Sequence, residues 1–256
     1  MKENLKKKSI SQEFNFSAWY FSPRKVTKIL LTAIALLIIF YILEEIFLNI
    51  LEDITNTKFT AKYFVFDSEH NFPTFYSALT LGFASYLLSI IAKFEKFLKS
   101  KFAKFWRALS FIFLYLAIDE AVTIHEHSIE PLRNALSASG FFFFTWIIPA
   151  FILLIVLFLI FKDFIYNLPT KTRNLFLLAG TVYVSGALGL ESIGGYIGDV
   201  ISFNTRAYWL VLIAKELLEM LGVVIFIYSL LSYIKNHITT PVKFHRLKNE
   251  YLKQQV

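Results

Sequence analysis

Six stretches of this chain, near 28–50, 74–93, 104–125, 141–161, 175–198 and 208–234, stay apolar long enough to cross the ~30 Å hydrocarbon core of a membrane. No other property restricts the fold so much. Inside lipid every backbone N–H and C=O must find its partner within the protein, which leaves only helices or a closed barrel. Stretches of this length suit helices, because a membrane strand needs just ~9–11 residues. A hydrophobic content of 56% over 256 residues is too high for an ordinary soluble domain. The expectation is an all-α fold, a six-transmembrane-helix bundle over 28–234. A basic flank (1–27) precedes it and a basic tail (235–256) follows.

Loop charges give the expected orientation. Lys and Arg outside the six stretches or within their first or last turns (Lys28, Lys93, Lys104 and Arg107) number seven, two, six, one, three, one and five from the N-terminal flank to the tail. That alternation fits the positive-inside bias with both termini in the cytoplasm. The net charge of +7 therefore points to topology and anionic lipid rather than nucleic acid. The first apolar run is too long for a signal-peptide core and lacks a small-residue cleavage site, so a retained first helix is expected over Lys28–Leu43, closed by Glu44. The chain has no cysteine, which removes disulfides, thiolate metal sites and cysteine nucleophiles.

With that topology, eight carboxylates fall in the outer half of the bundle: Glu44, Glu45, Asp119, Glu120, Glu126, Glu191, Glu216 and Glu219. A charge at bilayer depth costs at least ~2.5 kcal/mol on insertion scales, so each needs a partner or a task. The densest motif is Ile118-Asp-Glu-Ala-Val-Thr-Ile-His-Glu-His127. At ~100° per residue a continuous helix would put Asp119, Thr123 and Glu126 on one stripe, with Glu120 and His127 beside it and His125 opposite. Converging carboxylates and an imidazole suit a metal held between helices, with His127 the expected ligand and His125 structural. A helix end solvated among headgroups is the plainer reading.

Glu216 and Glu219, three apart, share a face. Lys215 points about 100° away and is free to pair with another helix. Glu191 lies among Gly186, Gly189, Gly194 and Gly195, where a neighbouring backbone can approach closely. Glu44 and Glu45 are either one ligand and one bystander or a plain helix end. Asp67, Glu69 and His70 precede Pro73, expected near the start of the second helix, in a segment able to fold over the outer mouth. No nucleophile elbow or phosphate loop is present. The 29 phenylalanines, including Phe141–Phe144 beside Trp146, read as lipid-facing and interfacial.

Glu69-x-x-x-Pro73-Thr-Phe-Tyr, Asp119-Glu-Ala-Val-Thr-Ile-His-Glu126, Gly189-Leu-Glu191 and Lys215-Glu-Leu-Leu-Glu-Met-Leu-Gly222 together resemble a group of uncharacterised bacterial multi-pass membrane proteins. The resemblance implies a bacterial inner-membrane location and one joint acidic constellation; it implies no activity. In architecture alone the chain is similar to membrane hydrolases related to alkaline ceramidases, but it lacks their histidine pair on the last helix.

Three functions remain open. In a metal-dependent enzyme acting on a lipid or other apolar substrate, Asp119, Glu126, His127 and Glu191 would be catalytic. Asp119, Glu120, Glu126, His127, Glu191, Glu216 and Glu219 would then hold iron, manganese, zinc, magnesium or calcium. In a proton- or cation-coupled transporter the same carboxylates would form a relay, with Glu44, Glu45, Glu69, His70 and Lys215 around it. In a structural subunit they would pair with charges on another membrane protein.

Overall fold

The computed structural model describes residues 22–57, 63–65 and 71–239, and every element among them is helical. Asp67, Glu69 and His70 lie outside the described residues, as do the N-terminal flank to 21 and the tail from 240.

Helix α1, Pro23–Thr55, starts with proline in its first turn, where the missing N–H leaves no bond unmade. It ends at Asn56, whose left-handed backbone (φ 52°) lets its N–H bond the Glu52 carbonyl at 2.8 Å. The helix thus runs eleven residues past Glu44, correcting the expected end there. Glu44 is instead a latch, its carboxylate accepting from the backbone N–H groups of Tyr63 (3.0 Å) and Phe64 (2.9 Å). The Phe64 ring stacks on Phe40 and on Phe72, with centroids 5.1 and 4.9 Å away.

Helix α2, Phe72–Phe97, is capped by Asn71, whose side chain accepts from Thr74 N–H at 3.0 Å, with Pro73 in the first turn as its position predicts. It forms a hairpin with α3, Ala103–Val122. Inside that seam Ser85 Oγ donates to the Ser110 carbonyl (2.7 Å) and Ser110 Oγ to the Ser85 carbonyl (2.9 Å). Small hydroxyl residues allow close approach where lipid supplies no hydrophobic drive between helices.

After α3 the chain bends by 68° into two short helices, α4 (Ile124–His127) and α5 (Ile129–Leu136). A 3₁₀ turn at Gly140–Phe142 leads to α6, Ile147–Tyr166. Helix α7, Thr170–Val184, continues through a π-helical stretch, Ser185–Leu190, into α8, Glu191–Tyr196, and a second one, Ile197–Ile201. Helix α9, Arg206–Tyr233, closes the bundle; α1, α2 and α7 all pack on it.

Among the described residues four segments are long and apolar enough to cross a membrane: α1, α2, α6 and Thr170–Ile201. The bent run from α3 through α5 makes a fifth if taken as one span. The sixth expected span coincides with α9, which is the axis of the bundle. Nearly every side chain from Met220 to Tyr233 is buried, while the turns bearing Lys215, Glu216 and Glu219 are only partly covered.

The dry core occupies the half of the bundle away from those charges. Trp106, Phe164, Leu88, Ile91, Ile227 and Leu230 are all essentially inaccessible there. Phe164, Phe176 and Tyr233 surround the Trp106 ring at centroid distances of 5.0–5.8 Å.

Candidate functional site

The site is built at the other end, and a broken helix begins it. Helix α3 stops because Thr123 takes a left-handed backbone (φ 52°, ψ 42°), and its N–H bonds back to the Asp119 carbonyl at 2.6 Å. A β-branched residue pays about 1–2 kcal/mol of steric strain in that region. Thr123 is also buried, and its hydroxyl has no hydrogen-bond partner. Glycine tolerates the left-handed region and alanine does not. Thr123→Gly should therefore be more stable than Thr123→Ala by about 1 kcal/mol, read from unfolding midpoints in detergent. Equal midpoints would mean that α3 does not break there.

The break replaces the expected stripe with a different arrangement. Asp119 reaches across the bend, accepting from His125 N–H (3.0 Å, Oδ1) and from His125 Nδ1 (2.7 Å, Oδ2). It caps the new turn and fixes the imidazole in one step. His127 turns outward and donates from Nδ1 to the Thr123 carbonyl at 2.7 Å, and both it and Glu126 are exposed. The expected roles of the two histidines are therefore exchanged: His125 faces the site and His127 shores up the bend.

The His125 ring lies against Trp146, centroids 4.7 Å apart. Trp146, just before α6, donates from Nε1 to Glu191 Oε1 at 3.3 Å. Glu191 is 8% exposed, and its other oxygen takes Lys215 Nζ at 3.0 Å. Lys215 Nζ also lies 3.2 Å from Glu216 Oε1. A continuous chain of contacts, Asp119–His125–Trp146–Glu191–Lys215–Glu216, thus joins α3, α4, the start of α6, α8 and α9.

Two more carboxyls crowd this chain. Glu219 lies in the field of Lys215, Glu216, Glu120 and Glu191, and its Oε1 is buried with no hydrogen-bond partner. Glu120 lies in the field of Glu216, Lys215, His125 and Asp119, and Tyr183 of α7 in that of Glu219, Glu120 and Glu216. The ammonium therefore reaches its partners from the centre of the group. Glu44 is engaged by the loop amides instead, and Glu45 lies near Tyr41 on α1.

Glycine is what allows Lys215 to sit so close. A Cβ on Gly186 would come within 2.7 Å of the Lys215 carbonyl and 3.0 Å of Glu219 Cγ. One on Gly222 would come within 2.8 Å of the Tyr183 backbone nitrogen. Of the glycines around Glu191, Gly186 holds two backbones together as expected, Gly195 packs against Phe143, Phe144 and the Gly140 carbonyl, Gly194 has only ordinary side-chain contacts, and Gly189 meets open space.

Among the described residues no group of three or more His, Asp or Glu side chains is arranged to hold a metal ion. The physical reason is visible in the geometry: Lys215 lies between Glu191 and Glu216, where a bridging cation would have to sit. The titratable groups that touch form two units, Asp119–His125 and Glu191–Lys215–Glu216, and the Trp146 indole lies between them.

Trp146, Tyr183 and His125 are the contributors that reading the sequence missed. For Trp146 a signal existed, because an indole N–H at membrane depth needs an acceptor. For Tyr183 there was none, since it lies in an unremarkable apolar run.

Behind Tyr183 lies a cavity of about 1270 Å³ between α6 and the rest of the bundle, with walls from α2, α3, α7 and α9. It is almost wholly apolar; Thr181, Tyr183, Ser185 and Ser192 are its polar side chains.

No curated protein and no solved structure matches the chain. A family described as a domain of unknown function, DUF8692, matches residues 29–234, most of the chain and nearly all of the bundle described above. The chain belongs to that family.

Proposed function

We propose that this is a proton-exchanging protein of the bacterial cell membrane whose Lys215 cluster takes up and releases protons as part of proton-coupled transport. In this reading six helices cross the bilayer and both termini are cytoplasmic, as the loop charges favour. One observation carries the reading: a single ammonium, Lys215, is shared by Glu191 and Glu216 while Glu219 and Glu120 stand beside it. Four ionised carboxylates around one cation, in a setting of low dielectric, are too costly to persist together. The group balances its charge by holding protons. His125 and Asp119, at the bend, offer the route by which protons enter and leave.

Infrared difference spectroscopy on the purified protein tests proton storage directly. A carbonyl-stretch band of protonated carboxylic acid should appear as the pH falls and shrink in Glu219→Gln. In liposomes carrying a pH-sensitive dye, the wild type should dissipate an imposed proton gradient, and Glu219→Gln should lose most of that flux while Glu45→Gln keeps it. A wild type with no such band and no flux would overturn the reading.

A metal-dependent enzyme acting on an apolar membrane molecule is the second reading, favoured by the cavity behind Tyr183. Stoichiometric metal in elemental analysis of the purified protein would select it.

A further inference from the structure

The middle of α6 stands away from the bundle. Ile147 at its start and Phe161 and Phe164 near its end are its buried residues. Between them Phe151, Ile152, Ile155 and Phe158 line the cavity yet remain 46–58% exposed. A helix pinned at both ends over an apolar gap of this size does not stay empty in a membrane, because its facing walls forgo dispersion contacts that hydrocarbon would supply.

Three features describe what fills the gap. First, the lining on α6 runs from Ile147 to Ile165, a rise of ~27 Å along the helix, close to the full ~30 Å hydrocarbon core. A chain confined to one leaflet spans only about half of that core. Second, the polar lining side chains lie at the level of the ionic cluster or towards the middle, whereas the far end is closed by Leu109, Phe161, Ile165 and Phe176. The occupant is therefore polar at one end. Third, the cavity is widened by glycines that packing does not demand. An added Cβ would meet nothing within 4 Å at Gly180 or Gly189, and both line the gap. At Gly186 and Gly222, by contrast, close backbone approach explains the glycine.

We infer that the crevice along α6 binds one membrane isoprenoid, a lipid with a single linear tail longer than a leaflet is deep, its polar head towards Ser185, Ser192 and the Lys215 cluster. The inference stands on the cavity and does not depend on proton exchange.

The full chain, purified in mild detergent from native membranes, should retain stoichiometric polyisoprenoid lipid detectable by extraction and mass spectrometry. Gly180→Trp and Gly189→Leu fill the gap from its α7 side and should lose that lipid. Ile39→Trp, on the exposed face of α1, should keep it. Photoactivatable polyprenyl probe added to wild type should label Ile148, Ile155 or Val184, and excess unlabelled polyprenol should compete. Retained phospholipid alone, retention unchanged in a folded Gly180→Trp protein, or labelling confined to the outer face of α6 at Leu153 and Leu159 would each overturn the inference.

Discussion

Lys215→Met should destabilise the protein by about 3–5 kcal/mol, the largest loss expected of any single change in the site. The arithmetic is asymmetric. With the ammonium present, Glu191 and Glu216 each hold a partner at 3.0 and 3.2 Å. With it gone, both carboxyls must either stand ionised without compensation or take up protons to do without their partner, and the desolvation they have already undergone is no longer offset by the ammonium. Trp146 still donates to Glu191, so one of its oxygens remains satisfied. Neutralising the acids should accordingly rescue: Glu191→Gln with Glu216→Gln in the Lys215→Met background should recover much of the loss. Unfolding midpoints of the wild type, the single variant and the triple variant in detergent check this. A Lys215→Met protein as stable as wild type would show that the ion pairs do not form.

The second large effect is steric. Alanine at Gly222 places a methyl 2.8 Å from Tyr183 N and 2.9 Å from Tyr183 Cα. Those are backbone atoms of α7 and cannot swing aside, so α7 and α9 must separate. Alanine at Gly186 meets the Lys215 carbonyl at 2.7 Å, again backbone. Overpacking of this kind costs about 1–3 kcal/mol per site. The two positions share one seam, so their effects should not simply add. Alanine at Gly180 or Gly189 is the built-in contrast. Each meets open space and should be neutral or more stable by up to about 1 kcal/mol through its better helix propensity. Thermal unfolding of the four single variants should rank Gly186→Ala and Gly222→Ala well below the other pair. Four equal midpoints would deny the α7–α9 contact.

Much of the bundle could be read from residues alone because its physics is one-dimensional. Each apolar stretch had to become a helix, and Pro73 marked the start of α2, whereas α1 begins at Pro23, five residues before the expected Lys28. The convergence of Glu191, Lys215, Glu216, Glu219 and Glu120 was also within reach, since charges at membrane depth must find one another. Partner choice was not. Lys215 and Glu216 are neighbours on α9, but whether Lys215 would also reach Glu191 depends on the rotation of α8 against α9, and it does. The His125–His127 reversal was invisible for another reason. Nothing in Ala-Val-Thr-Ile announces a left-handed residue, because threonine is among the last types expected there. The extension of α1 past Glu44 was hidden as well, because two adjacent carboxylates look like an ending when their anchor, the Tyr63–Phe64 backbone, lies nineteen residues away.

The π-helical stretches on either side of α8 have one more consequence. Each place where an extra residue is wound into a turn offsets everything beyond it by about 100° around the axis. Had the backbone run on from Val184 in regular α geometry, the Glu191 carboxylate would point to a different quadrant, away from Lys215. Its meeting with α9 is thus decided by the pitch of the backbone six residues earlier, and neither glutamate nor lysine chooses it. Removing a single residue between Ser185 and Leu190 would leave every side chain of the cluster chemically intact and still pull it apart.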